Sequence, residues 1–141
     1  MCRAKDVFDL ATAALIASGA GEHELAAYLG RIEALCRRAQ PHLAQANDRE
    51  RAGALFHWLW QTRPDRYLYH GNFRLTHALR AQLGETPGPV GNCLGLTLLY
   101  NVLAQRLGLR VRACHLEEAF GRGPHVFSIV NTADGPVDVE N

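Results

Sequence analysis

The first part of the chain carries apolar residues at helical spacing. From Asp6 to Ser18, and again from Glu22 to Ala39, they recur every three or four positions, which is the period of an amphipathic helix. Pro41 is expected to close the second helix. A third helix is expected to begin at Asn47-Asp48, where a side chain can cap it, and to break at Thr62-Arg63-Pro64-Asp65. The pattern predicts a helical N-terminal part.

The middle of the chain leads to its most apolar helix. Arg66 to Asn72 is aromatic and predicted to be irregular, and Phe73 to Leu83 is predicted to be a short helix. Gly84 to Gly91 holds three glycines and two prolines, which indicates a loop. Leu94 to Leu107 follows as an apolar helix, and Gly108 is a suitable residue to end it.

After Gly108 the pattern changes to that of β-strands. Arg110 to Leu116 alternates partly, and two short β-rich runs, His125 to Val130 and Pro136 to Glu140, follow. Asp134-Gly135 between those runs is a hairpin signal. Helices, then a central helix, then an antiparallel hairpin predict an α+β fold in which the central helix packs on a small antiparallel sheet.

Length and composition are typical of one globular domain. The 141 residues suffice for a single modest core, so we expect one domain over 1–141, mainly helical over 1–83 and carrying the central helix and hairpin over 84–141. Hydrophobic residues are 48% and charged residues 21%, which gives no sign of disorder. The formal net charge of +1 gives no footprint for nucleic acid, and no such partner is expected.

The four cysteines bear on the redox setting. Cys2, Cys36, Cys93 and Cys114 form no C-x-x-C pair, and no secretion signal precedes them. The apolar stretch Val7 to Ala20 is too short to span a bilayer. We therefore expect free thiols in a cytoplasmic protein with no membrane partner, and we expect Cys36 and Cys114 to belong to the core.

Cys93 differs from the other cysteines in its position. It follows Gly91-Asn92 and opens the apolar helix, so with Asn92 as N-cap its thiol lies in the first turn. There the helix dipole and the free N–H groups favour a thiolate, and a backbone N–H can face a developing oxyanion. Gly91 and Gly95 are expected to leave the sulfur uncovered by bulky neighbours. The alternative is that Cys93 is only a small core residue.

A nucleophilic cysteine needs an imidazole and an acid that orients it, and the hairpin offers both. His125 begins the first strand, after the flexible loop Gly121 to Pro124. Asp138 and Glu140 on the returning strand are two residues apart and share one face of the sheet. If the turn centres near Ala133-Asp134, Glu140 lies opposite or diagonal to His125, with Asp138 one pair further in. Glu140 is the favoured acid and Asp138 the alternative.

Other kinds of site have weaker support. Several residues are of zinc-ligand type, but their spacing is not that of a recognised closed site: Cys93, Cys114, His115 and His125. The glycine-rich loop lacks the Gly-Lys-Ser/Thr ending of a phosphate-binding loop. We expect neither a metal ion nor a cofactor. A group of aromatic residues either walls a substrate groove or belongs to the core: Trp58, Trp60, Tyr67, Tyr69 and Phe73.

This constellation resembles the transglutaminase-like superfamily, a branch of the papain-like cysteine enzymes, and in particular a bacterial subgroup. The matching stretches are GNCLGL at 91–96, LLYNVLAQRLGL at 98–109, PHVF at 124–127 and VDVEN at 137–141. GNFRL at 71–75 is similar to the lead-in of such proteins. The resemblance implies that a cysteine-bearing helix packs on an antiparallel sheet whose adjacent strands carry the histidine and the acid.

The resemblance also implies roles for single residues. Cys93 takes the place of the nucleophile and His125 that of the histidine. Glu140 takes the place of the acid, where the family usually has Asp, and Asp138 is the alternative. The family's chain normally continues with more strands after the position of Asn141, so the resemblance implies a fragment or a minimal version.

Together these residues predict a cysteine-dependent acyl-transfer enzyme. The Cys93 thiolate attacks an amide or ester carbonyl with the help of His125, and water or an amine resolves the acyl-thioester. Hydrolysis of a peptide or protein substrate, by a protease or amidase, is favoured over transamidation. The alternative function is a catalytically inactive binding or scaffold module that keeps the transglutaminase-like fold.

Overall fold

The helices and strands follow one another in the order that the sequence predicts. The computed structural model describes residues 9–44 and 47–141, and this part of the chain holds five α-helices followed by a three-stranded antiparallel sheet. The helices are α1 (Leu10–Ala17), α2 (Leu25–Ala39), α3 (Asp48–Thr62), α4 (Leu75–Gln82) and α5 (Cys93–Arg106). The strands are β1 (Arg110–Leu116), β2 (His125–Thr132) and β3 (Gly135–Val139). The predicted α+β class is confirmed.

Polar caps set the starts of two N-terminal helices. The Asp9 side chain accepts a hydrogen bond from the Thr12 amide at the start of α1, and the Asn47 side chain accepts one from the Glu50 amide at the start of α3. The beginning of the predicted first helix, residues 6–8, lies outside the described residues. The predicted end of the second helix is confirmed: α2 ends at Ala39, and Pro41 lies in a separate 3-10 turn, Gln40–Leu43, that follows it. Proline is tolerated there because the first turn of a helix does not use its N–H.

Helix α5 is the centre of the core. It packs against α1 to α4 on one side and against β1 and β2 on the other. Its leucines at 96, 99 and 103 are fully buried, and burial extends around most of the helix, as expected for an apolar helix enclosed by other elements. Across residues 9–44 and 47–141, every helix is too short or too polar to cross a membrane.

The sheet has the order β1-β2-β3, with a two-residue turn between its last two strands. Thr132 pairs with Gly135, so Ala133 and Asp134 form the turn, and Gly135 has a positive φ of 109° that suits glycine. This register places Ser128 opposite Val139. Since side chains alternate along a strand, it also decides which residues of the hairpin share a face.

Buried polar contacts fix β2 alongside α5. Thr97 Oγ1 donates to the Val126 carbonyl at 3.2 Å, and one helical turn further on Asn101 Oδ1 accepts from Ser128 Oγ at 2.6 Å. The Asn141 amide donates to the same Ser128 hydroxyl at 2.9 Å. A step of four residues along α5 therefore covers the same distance as a step of two residues along β2, and the two elements run in the same direction.

Candidate active site

Cys93 is the first residue of α5. Asn92 caps the helix in an extended conformation, and its side-chain oxygen accepts from the Gly95 amide at 3.1 Å. The predicted N-cap is thus confirmed, with the helix beginning one residue earlier than predicted. Cys93 is half-buried, and its thiol lies in the first turn, where the positive end of the helix dipole stabilises a thiolate.

The glycines beside Cys93 allow close backbone packing. A Cβ on Gly95 would lie 2.7 Å from the Asn72 carbonyl oxygen and 3.4 Å from Phe73 Cα, and a Cβ on Gly91 would also lie 2.7 Å from the Asn72 oxygen. The Asn92 amide donates to that same oxygen at 3.1 Å. The 71–75 stretch is therefore held against the start of α5 by backbone contact.

The aromatic segment before it is joined to the same loop. The amides of Val90 and Gly91 donate to the Arg66 carbonyl at 2.9 and 3.1 Å, and the Leu68 amide donates to the Gly91 carbonyl at 3.1 Å. Tyr67 and Gly91 form an isolated parallel bridge. The segment predicted to be irregular thus provides part of the scaffold that positions Cys93.

His125 and Glu140 are in contact. Glu140 lies one residue beyond Val139, which pairs with Ser128, so it is diagonal to His125 across the hairpin. His125 Nε2 donates to Glu140 Oε2 at 2.6 Å. The His125 side chain is 28% exposed and that of Glu140 is 64% exposed, so solvent screens the pair. With Nε2 as the donor, Nδ1 of the neutral ring keeps its lone pair and can accept a proton.

Asp138, the alternative acid, does not reach His125. It lies on the same face of the sheet as Glu140, but it pairs with Ile129 and is exposed. Its neighbours across a shallow cavity belong to α3, among them Arg49 and Phe56. Of the two carboxylates considered, the structure brings only Glu140 to the histidine.

The contacts between α5 and β2 fix the position of Cys93 along the helix axis relative to the start of β2. Thr97 lies against Val126, and Cys93 is four residues earlier on the same face of the helix. Four helical residues rise about 6 Å, and two strand residues span about the same length. Cys93 is therefore level with Pro124, one residue before His125. Because Ser128 faces α5 and side chains alternate along β2, the His125 side chain lies on the other face of the strand. Among the hydrogen bonds of the described residues, none joins the Cys93 sulfur to the His125 ring.

A cleft opens beside His125 and Glu140. It has a volume of about 440 Å³ and is lined by Tyr67, Tyr69, Ala119, Phe120, Arg122, Gly123, Pro124, His125 and Glu140. Tyr67 borders both this cleft and Cys93. Desolvation raises the pKa of the Tyr67 phenol, and the negative charge of a Cys93 thiolate raises it further, with a smaller effect from Tyr69. Tyr67 thus links Cys93 to the cleft that His125 lines.

The loop between β1 and β2 forms the outer wall of the cleft. It folds into a tight turn in which the Ala119 amide donates to the Gly123 carbonyl and the Gly123 amide donates to the Glu118 side chain. Phe120, at the tip, has a positive φ of 56° and is 97% exposed. Sequence reasoning described this loop only as flexible and missed Phe120 and Arg122. The glycines at 121 and 123 were a signal for a turn, but not for its direction.

The remaining candidate residues give no metal site. In the part of the chain that the structure describes, no group of three or more His, Cys, Asp or Glu side chains is placed to hold a metal ion. Cys36, Cys93 and Cys114 are free thiols.

Comparison with known proteins finds no match to this chain among family models, curated sequences or solved structures.

Proposed function

We propose that this protein is a transglutaminase-like cysteine enzyme that hydrolyses a peptide or amide bond. Cys93 is the nucleophile, His125 the general base and acid, and Glu140 the group that orients His125. The proposal is supported most directly by one arrangement: Glu140 contacts His125 through Nε2, and β2, which begins at His125, runs alongside the helix that has Cys93 at its N-terminus. The resemblance of residues 91–141 to that superfamily agrees with these assignments.

The reaction divides into acylation and hydrolysis. His125 Nδ1 takes the proton of the Cys93 thiol, and the thiolate adds to the carbonyl carbon of the substrate. The carbonyl oxygen becomes an oxyanion, which the first amide N–H groups of α5 can stabilise because they have no acceptor within the helix. The C–N bond then breaks as His125 gives its proton to the departing amine.

Hydrolysis restores the enzyme. His125 takes a proton from water, and the hydroxide attacks the thioester carbonyl. The C–S bond breaks, the acid product leaves, and the proton returns to the sulfur. An amine that entered in place of water would give transamidation by the same steps. In both stages the carboxylate of Glu140 stabilises the imidazolium ring while the proton is held there.

Thiol reactivity tests the proposal without knowledge of the substrate. Iodoacetamide labelling followed by mass spectrometry of peptides gives a rate for each cysteine. We expect Cys93 to react at least tenfold faster than Cys114 at about pH 6.5, because a free thiol with an ordinary pKa near 8.5 is mostly protonated there. Cys93 is expected to lose most of this advantage in His125→Ala, while Cys114, half-buried and on β1, acts as the internal control.

Acyl transfer itself needs a second measurement. Incubation with a peptide mixture, followed by mass spectrometry, should show cleaved products with the wild-type chain and none with Cys93→Ala. Equal labelling rates for Cys93 and Cys114 across pH 5 to 9, together with an unchanged peptide mixture, would overturn the enzyme assignment.

A binding module is the second candidate function. It is favoured by the missing hydrogen bond between Cys93 and His125 among the described residues, and by the exposed aromatic side chains at the cleft, Tyr67, Tyr69 and Phe120. This alternative expects Cys93→Ser to keep binding to any peptide that the wild-type chain binds without cleaving. Isothermal titration with such a peptide distinguishes the two functions, because turnover would give a continuing heat signal that Cys93→Ser lacks.

A further inference from the structure

Arg66 is a buried cation that has no ion-pair partner among the described residues. It is only 2% exposed, and its Nε and Nη1 are fully covered without a hydrogen-bond acceptor. Among the ion pairs of the described residues, none includes Arg66. Its guanidinium lies over the ring of Trp60 at 5.7 Å, a cation–π contact that replaces little of the lost hydration.

A charge buried in this way is unfavourable unless an opposite charge or hydrogen bonds compensate it. Burial lowers the pKa of Arg66 to about 10, so the guanidinium remains protonated at neutral pH. The site therefore presents a positive charge and unused N–H donors. Arginine side chains in such surroundings bind carboxylate or phosphate groups, whose oxygens accept two parallel N–H bonds.

A cavity adjoins this side chain. It has a volume of about 290 Å³ and is lined by Arg63, Pro64, Asp65, Arg66, Gly88, Pro89 and Val90. Arg63 donates to the Ala81 and Thr86 carbonyls, which carry no formal charge, so it adds a second uncompensated cation. Asp65 is exposed, and within the described residues it forms an ion pair with neither arginine.

We propose that this cavity binds a small oxyanion, a carboxylate or a phosphate, with Arg66 as its main ligand. The N–H groups of Arg66 Nε and Nη1, which lack an acceptor among the described residues, are the donors that the anion would satisfy. Arg63 adds positive potential, and Asp65 opposes it. The volume suits a phosphate ion or a small organic acid. This site is separate from the cleft before His125, whose lining shares none of these residues.

Occupancy would act on the start of α5 through the backbone. The Arg66 carbonyl accepts from the amides of Val90 and Gly91, and Cys93 follows two residues later. An anion that fixes Arg66 therefore stabilises the loop that carries the thiol. Because binding only to the folded state raises its stability, the melting temperature reports on the site independently of any enzyme activity.

Thermal unfolding at constant ionic strength tests the proposal. Sodium phosphate or sodium acetate replaces sodium chloride stepwise. In the wild-type chain we expect Tm to rise by about 3 to 6 °C at ten times the dissociation constant of the bound anion. Arg66→Met should lose this rise. It should fold, because replacing a buried unpaired charge by an apolar side chain of similar length is often neutral or stabilising.

Two further variants serve as controls. Arg38→Met removes an exposed charge on α2 and should keep the full rise, which excludes a general effect of net charge. Asp65→Asn should lower the dissociation constant severalfold, because it removes the opposing carboxylate. A rise with only one anion assigns the site to that oxyanion, and a rise with both assigns it to small oxyanions in general.

Three results would overturn the proposal. One is that Tm of the wild-type chain does not rise with either anion. Another is an equal rise in Arg66→Met and in the wild-type chain. The third is weaker anion binding in Asp65→Asn, which would mean that the positive potential of the arginines does not hold the anion. Should Arg66→Met fail to fold, calorimetric titration of wild-type and Asp65→Asn chains with phosphate and acetate decides the same question.

Discussion

At the scale of single residues, the contact between His125 and Glu140 can be tested apart from the rest of the site. Glu140→Gln keeps the size of the side chain but removes its charge, so the imidazolium ring loses its counter-ion. Because both partners reach solvent, we expect a modest effect: labelling of Cys93 should slow by about two- to fivefold at low salt, as for exposed ion pairs worth up to about 1 kcal/mol. Iodoacetamide kinetics at several salt concentrations measure it.

Asp138→Asn is the matched control for that prediction. It removes a carboxylate from the same strand and the same face, but from a residue opposite Ile129 that does not touch His125. It should leave the labelling rate of Cys93 unchanged. If Asp138→Asn slowed the labelling of Cys93 as much as Glu140→Gln does, the general negative potential of the strand, rather than the 2.6 Å contact, would act on His125.

How well the sequence predicts the position of these residues depends on how far apart in the chain the interacting residues lie. The acid next to His125 was predictable, because alternation along a strand and a two-residue turn fix which carboxylate falls diagonal to it. The Asn92 cap was predictable from four adjacent residues. Tyr67 was only one of several aromatic candidates, and the burial of Arg66 was not foreseen, because both depend on backbone pairing with residues more than twenty positions away.

At the scale of elements, the packing of the 71–75 stretch against α5 is the contact on which the position of Cys93 depends. Gly95→Ala introduces a Cβ 2.7 Å from the Asn72 carbonyl oxygen, so one backbone must move. We expect a loss of about 1–3 kcal/mol in the free energy of unfolding, although alanine is the better helix former. Urea denaturation measures the loss, and labelling of Cys93 should show that the loop has shifted.

Gly53→Ala gives the comparison within the same chain. Gly53 also lies inside a helix, α3, but a Cβ there meets nothing within 4 Å. We expect Gly53→Ala to raise the free energy of unfolding by about 0.5–1 kcal/mol, because alanine loses less backbone entropy than glycine on folding. If both substitutions changed stability in the same direction, close backbone packing would not be the reason for glycine at position 95.

The elements themselves differ in how far the sequence predicts them. Helices with a side-chain cap and an apolar stripe appear where they were predicted, because both signals are local. The end of α2 at Ala39 was also predicted, because Pro41 is a local signal, but the 3-10 turn that follows was not. The packing of Gly91 and Gly95 against Asn72 was not predicted, because Asn72 is remote in sequence.

At the scale of the whole molecule, the burial of ionisable side chains in the core makes the stability of the fold depend on pH. Cys36 is 7% exposed, and burial raises the pKa of its thiol from 9.0 to about 11. Tyr100, fully buried on α5, also has a raised pKa because of burial, and its hydroxyl donates to the Ala52 carbonyl. Over a range of alkaline pH, each of these two groups is thus neutral in the folded protein but ionised in the unfolded chain.

The sign of the effect follows from linkage. A folded-state pKa above the unfolded value gives stability that is complete below the unfolded pKa and is lost as pH rises toward the folded pKa. For Cys36 that window runs from about pH 9 to 11. We expect a loss of roughly 1 kcal/mol by pH 10, seen as a fall in Tm of a few degrees, with Tyr100 adding to it at higher pH. Cys36→Val should remove most of the fall between pH 8 and 10, whereas Cys114→Val should retain it. An undiminished fall in Cys36→Val would place the alkaline sensitivity in another group.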